Sequence, residues 1–221
     1  MRVAALVSGG KDSMLALHRV AEKHDVACVV TAVPERDDSW MFHTVNLHMV
    51  DAIAECLGKS VVKVPVSGEK EKEVEEFASA LEGLEVDALC IGAVASRYQK
   101  ERIEKVCDRL GFELIAPLWG EDPVKILREV SRKFEVLIVG VAAEGVERFL
   151  ARKIDEELVE ELLEVCEARG VNPVGEGGEY ETLVLDAPLY NKKIKILKYD
   201  IIREGFRGYA VVRSYKFVSK N

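Results

Sequence analysis

The sequence predicts an α/β fold: a parallel sheet with helices on both faces, followed by a small subdomain built on an antiparallel hairpin. Short apolar runs alternate with longer segments of helical period. The runs are apolar at nearly every position, as strands buried on both faces require. After residue 142 this rhythm changes, and that change marks the subdomain.

The elements follow in order. Residues 2–7 read as a buried strand, and residues 13–24 set Leu15, Leu17, Val20 and Ala21 at helical spacing. Residues 26–33 are a second, β-branched strand. Residues 45–57 put Val45, Met49, Ile53 and Leu57 on one helical stripe. A third strand at 60–65 precedes a charged, exposed helix at 69–82. Strand 86–92 and helix 97–110 come next, then a short strand at 112–115. Asp122-Pro123 opens a helix over 122–133 with a capping side chain and a proline in the first turn. Residues 135–141 read as a further strand of the same sheet. Helix 155–169 stops at Gly170. Segments 193–202 and 209–217 alternate polar and apolar residues around Glu204–Gly208, as a hairpin does. The predicted division is a first domain over 1–142 and a subdomain over 143–221.

Composition narrows the class. The 221 residues carry a net charge of −8, with 48% apolar and 32% charged residues. That excludes a disordered chain, a collagen and a membrane bundle. The acidic balance argues against stable nucleic-acid binding, which draws on positive charge, and it permits a protein partner with a basic surface. No run of 18 apolar residues predicts a membrane span, and the first residues do not read as a secretory signal. The five cysteines are widely spaced without a CxxC pair. They predict reduced thiols in the cytoplasm, and no zinc site. High charge with a single glutamine, Gln99, is a compositional hint of a heat-adapted source.

Four segments carry chemistry. Ser8-Gly9-Gly10-Lys11-Asp12-Ser13 lies between the first strand and the first helix. Its plain reading is a glycine turn capped by serine. Yet two glycines bare the backbone N–H groups, the helix adds its positive end, and Ser8, Ser13 and Lys11 add donors. Together they describe a pyrophosphate cradle. Asp12 would repel such a ligand unless it holds Mg²⁺ against the phosphates. The Walker loop fails, because Ala5 and Asp12 stand where it needs glycine and a hydroxyl. Asp38-Ser39-Trp40-Met41-Phe42-His43-Thr44 follows the second strand, either as a loop packing aromatics on the core or as an adenine wall. Gly92-Ala93-Val94-Ala95-Ser96-Arg97-Tyr98-Gln99 follows the fourth strand. It reads as a capped turn, or as a second nucleotide anchor with Arg97 near negative charge. Gly175-Glu176-Gly177-Gly178-Glu179-Tyr180-Glu181-Thr182 combines three glycines with three carboxylates. It reads as a hairpin entry, or as a substrate or Mg²⁺ loop closing over a nucleotide.

The first of these motifs resembles the signature of the N-type ATP pyrophosphatases, which have the HUP-type (adenine nucleotide alpha-hydrolase-like) fold. The four motifs together resemble the diphthine–ammonia ligase family over about residues 1–190, and the length is similar to its compact archaeal form. Trp40 stands where tyrosine is expected. The resemblance implies an enzyme, a carbon–nitrogen ligase for the last step of diphthamide synthesis. ATP adenylates the diphthine carboxylate on elongation factor two, and ammonia displaces AMP. It implies ATP and Mg²⁺ as cofactors, and the modified factor and ammonium as partners. By position, Ser8, Gly9, Gly10, Lys11 and Ser13 would bind phosphates, with Asp12 on Mg²⁺. Ala32 or Val33, with Met41 and Phe42, would frame adenine. Gly92, Ser96 and Arg97 would lie by ribose or α-phosphate. Glu176, Glu179, Tyr180 and Glu181 fall on the substrate side, and whether their carboxylates hold ammonium, act as a base or bind a second Mg²⁺ stays open. Two other readings remain: an ATP pyrophosphatase adenylating tRNA or another substrate, and a HUP protein that binds ATP without chemistry. The hairpin edge leaves a homodimer open.

Overall fold

The computed structural model describes residues 1–34, 45–67, 69 and 72–220. Its first layer is a parallel sheet of β1 (Arg2–Leu6), β2 (Asp25–Pro34), β3 (Ser60–Val66), β4 (Ala88–Cys90) and β5 (Glu113–Ile115). The order is β3-β2-β1-β4-β5. Helices α1 (Lys11–Ala21), α2 (Val50–Leu57), α3 (Lys72–Leu81) and α4 (Arg97–Leu110) make the crossovers. The chain steps outward from β1 to β3, then returns to set β4 on the other side of β1. That reversal opens a crevice beyond the carboxyl ends of β1 and β4, where ligands bind in such sheets.

One face of the sheet buries Ala4, Val30 and Val64 under Phe77 and Leu81 of α3 and Ile103 and Val106 of α4. So α3 is less exposed than its charge suggests: Glu73 is buried along with Phe77, Ala78 and Leu81, while Glu75 is exposed. The opposite face packs Val3, Ala5 and Val29 on Met14 and Leu17 of α1 and Ile53 of α2. This second core continues without a break into another sheet, through Val136, Ile138, Leu183 and Ala210. Helix α5 (Pro123–Lys133) leads to β6 (Glu135–Val141), and α6 (Glu156–Arg169) precedes β7 (Tyr180–Asp186), β8 (Lys192–Glu204) and β9 (Arg207–Ser219). These four strands form an antiparallel sheet in the order β7-β6-β9-β8.

Strand β6 departs from the sequence reading, which placed it in the parallel sheet. It pairs antiparallel with β7 and β9. Both its faces are covered, so its sequence is as continuously apolar as that of a parallel strand. The expected division at residue 142 therefore falls one strand inside the second sheet. The predicted cap Asp122 sits where α5 starts, accepting from the Val124 N–H at 2.9 Å, and α6 starts on Asp155, which accepts from the Leu158 N–H at 2.8 Å. Among the described residues no helix is long and apolar enough to cross a membrane.

Candidate active site

The crevice at the switch point is a cleft of about 1070 Å³, its open mouth included. Three pieces of chain wall it: Leu6–Ser13 after β1, Ile91–Ala93 after β4, and residues 174–182 entering β7. Thr31, Ala32, Val45 and Leu47 close the side toward β2, and Gln99 and Ile103 of α4 the opposite side.

Two glycines let these walls meet. Gly9 has φ +90°, and a Cβ there would lie 2.8 Å from Ile53 Cδ1. A Cβ on Gly92 would lie 2.6 Å from the Ser13 nitrogen, so the end of β4 rests directly on the first turn of α1. In that turn the Ser13 hydroxyl donates to the Gly10 carbonyl at 3.0 Å, with Ser8 Oγ 3.5 Å away. Two hydroxyls thus stand side by side at the helix entry.

Lys11 is 2% exposed. Its ammonium donates to Asp12 Oδ2 at 2.8 Å and to the Val174 carbonyl, and lies 4.9 Å from the centre of the Tyr180 ring. Its backbone N–H donates to Thr182 Oγ1 at 3.0 Å. The SGGKDS loop and the acid-rich segment are therefore fastened together at one residue, 163 and 171 positions away from its two partners.

The acid-rich segment divides its roles. Both oxygens of Glu176 accept backbone N–H groups, from Val94 at 2.8 Å and from Ala95 at 2.7 Å. It lines the cleft while latching the loop after β4. Glu181 also lines the cleft. Glu179 turns away from it, and its Oε1 accepts from the Asn172 N–H at 3.2 Å. Tyr180 lines the cleft wall but is buried, and its hydroxyl donates to the Pro173 carbonyl at 2.6 Å. Burial, with the charges of Asp12, Cys166 and Glu179, raises its pKa well above 10, so the phenol stays protonated. Tyr180, expected on the substrate side, is anchored in the cleft wall by its burial and by its hydrogen bond to the Pro173 carbonyl.

Other expectations sort by place. Ser8, Gly10, Lys11, Asp12, Ser13, Gly92 and Glu176 come together in the cleft. Gly9 supports it from behind. Val33, Ser96 and Arg97 are not among its lining residues. Ser96 caps α4, accepting from the Gln99 N–H at 3.4 Å, and Arg97 is exposed. The expected adenine residues Met41 and Phe42, with the rest of 38–44, lie outside the described residues. Thr31, Gln99 and Thr182 also carry polar groups into the wall; Gln99 and Thr182 close two of the sequence motifs without a role assigned to them, and Thr31 lies in none. Thr182 had a signal, a hydroxyl residue two positions after the buried Tyr180 in a strand. The cysteines are remote from any nucleophilic role. All five are buried, and burial pushes Cys90 and Cys107 up to about 12. Among the described residues no three His, Cys, Asp or Glu groups are placed to hold a metal.

A model of the diphthamide synthase N-terminal domain matches residues 1–114, and one of the C-terminal domain matches residues 122–218. The chain belongs to the diphthamide synthase family. Curated family members are named diphthine–ammonia ligase. That of Bos taurus is 35% identical, with 99% of this chain and 91% of the relative aligned. That of Danio rerio is 36% identical over 89% of this chain and 86% of the relative. Compact length is thus shared by vertebrate diphthamide synthases, whereas this chain covers 37% of the Schizosaccharomyces pombe protein. A solved structure titled as a predicted subunit of tRNA methyltransferase from Methanocaldococcus jannaschii aligns at 19% identity and TM-score 0.49, over 85% of this chain and 98% of that one. The two halves of the diphthamide synthase family meet in this chain at the cleft, the N-terminal model supplying residues 6–13 and 91–103 and the C-terminal model residues 174–182.

Proposed function

We propose that this chain is the ligase of the last step of diphthamide synthesis: it amidates the carboxylate of diphthine on elongation factor two, using ammonium and ATP and releasing AMP and pyrophosphate. The observation that carries the reading is the joining of the SGGKDS loop to the GEGGEYET segment in one cleft, through Lys11. A nucleotide site alone needs only the first of these. The second brings carboxylates to a wall that a cationic or amine-bearing substrate would face.

A carboxylate is a poor electrophile, and transfer of an adenylyl group to it supplies a good leaving group. The protein's share is to position and to stabilise charge. The first turn of α1 offers its N–H groups and the Ser8 and Ser13 hydroxyls to phosphate oxygens. Lys11 supplies the buried positive charge beside them. Val45, Leu47 and Ala32 form the apolar side, suited to a flat base. Glu176 keeps the loop after β4 against the cleft. Mg²⁺ fits this donor set as a metal carried with the nucleotide: Asp12 offers one carboxylate at the phosphate loop, and Mg²⁺ commonly takes only one or two from protein. Bound there, it would neutralise phosphate charge. Cytoplasmic residence goes with this substrate.

The test is AMP formation by the purified protein with ATP, Mg²⁺, ammonium and the diphthine-bearing factor. AMP that appears only when the modified factor is present supports the reading. AMP formed with tRNA instead points to the other adenylating reaction, and ATP binding without AMP under any condition points to a non-catalytic protein.

A further inference from the structure

The hairpin of β8 and β9 is electrostatically unlike the rest of the chain. Residues 192–220 hold nine Lys and Arg against Asp200 and Glu204, a formal charge of +7, while the preceding 191 residues carry −15. Part of this charge is answered internally: Lys192 pairs with Glu55, Lys193 and Lys220 with Asp186, and Arg213 with Asp200. Lys195, Lys198, Arg203, Arg207 and Lys216 are exposed and form no salt bridge among the described residues. Interleaved with them are exposed apolar side chains, Leu197 56%, Tyr199 41%, Ile201 43%, Ile202 51% and Phe206 50%. Such a cluster marks a contact surface.

The ribbon also reaches the cleft. Tyr209 of β9 is paired with Gly140 of β6, which packs on Glu181 of the cleft wall. Asn46, between the cleft residues Val45 and Leu47, donates to the Ala210 carbonyl at 2.9 Å and accepts from the Val212 N–H at 2.9 Å.

We infer that this ribbon docks the protein that carries the diphthine, through a face of that protein which is acidic at its rim and apolar at its centre. The inference rests on the function proposed above and names where the substrate protein is held. Charge complementarity gives an acidic partner its approach, and the aliphatic side chains give it contact area. Aliphatic residues favour a protein over RNA, which offers phosphates and bases to stack. Lysines on the outer edge of β8 oppose pairing with a second copy of the same strand. The chain's overall −8 therefore misleads about the partner, since the acidic body is not the surface that meets it.

The experiment compares wild type with the triple variant Lys195→Glu, Lys198→Glu, Arg203→Glu and with the double variant Ile202→Ser, Phe206→Ser. AMP formation is measured while the diphthine-bearing protein and, separately, ATP are varied. The expected result is a rise in KM for the protein substrate of about tenfold or more in each variant. KM for ATP stays unchanged, which also reports an intact fold. The wild-type KM for the protein should rise with salt, and that of the triple variant should not. An unchanged KM for the protein substrate overturns the inference and leaves the proposed function standing. So does a wild type that sediments as a dimer and is made monomeric by the variants, or a ribbon whose variants lose binding to an added RNA alone. A wild type that forms no AMP with the modified protein overturns the proposed function and this inference with it.

Discussion

At the scale of residues, the contiguous motif was legible and the long-range partners were not. SGGKDS is six adjacent positions at a strand end, so its tight turn into α1, with two hydroxyls side by side, follows from local chemistry. The attachments of Lys11 to Val174 and Thr182, and of Glu176 to the amides of Val94 and Ala95, span 81 to 171 positions and exist only once both sheets are folded. Acid density in residues 176–181 was visible, but not that Glu179 and Tyr180 are spent on anchoring. Three consequences follow. Lys11→Ala should abolish ATP turnover in a chain that remains folded by circular dichroism; retained turnover would remove Lys11 from the phosphate site. Tyr180→Phe leaves the Pro173 carbonyl without its donor and should cost about 1–3 kcal/mol in urea unfolding, while AMP formation survives at temperatures where the variant is folded. A turnover loss without a stability loss would restore Tyr180 to catalysis. Gly92→Ala forces a methyl against the backbone of Ser13. It should destabilise by about 1–3 kcal/mol and raise KM for ATP, because the β4 wall must shift from α1.

At the scale of elements, helices with cap signals were readable to within a residue or two, because the caps are local: the helix expected over 97–110 is α4 and that over 155–169 is α6. Strand β6 was not placed, because burial on both faces erases the alternation that marks an antiparallel strand. Asp155→Ala removes the α6 cap and should lower stability by about 1 kcal/mol, read as a lower urea midpoint. Helix α1 is also tied to the second sheet through His18. Its ring lies 4.8 Å from that of Phe134, its Nδ1 is 2.7 Å from the Met14 carbonyl and its Nε2 accepts from the Leu189 N–H at 3.2 Å. That arrangement needs the neutral, Nδ1-protonated ring. Burial, with the charges of Lys133 and Lys220 and against the Met14 bond, holds its pKa below the ordinary 6.5. Above 6.5 both folded and unfolded imidazoles are neutral and the stability is complete. As pH falls from 6.5 through the lower folded value, the unfolded chain binds the proton first, so stability declines. Urea midpoints across that interval should fall for wild type and fall less for His18→Gln; parallel slopes would exclude His18 as the source.

At the scale of the whole molecule, two sheets share one uninterrupted core and meet at a cleft that neither completes alone. The parallel architecture was legible from the alternation of runs and helices, and the presence of a second lobe from the change of rhythm. A loop from the second lobe closing over the first was among the sequence readings, but not the contacts that hold it there, since they depend on how the second sheet seats on α1 and α2. Nor was the basic ribbon legible, whose charges are countable in the sequence but come together on one ribbon only when β8 and β9 pair. Family membership and the cleft together make amidation of diphthine the central claim. It is tested most directly by mass spectrometry of the modified histidine peptide after incubation of the diphthine-bearing factor with this protein, ATP, Mg²⁺ and ammonium. The account predicts conversion of the carboxylate to the amide by the wild type and none by Lys11→Ala. An unchanged carboxylate, in a reaction where the wild-type protein is folded and ATP is bound, would contradict it.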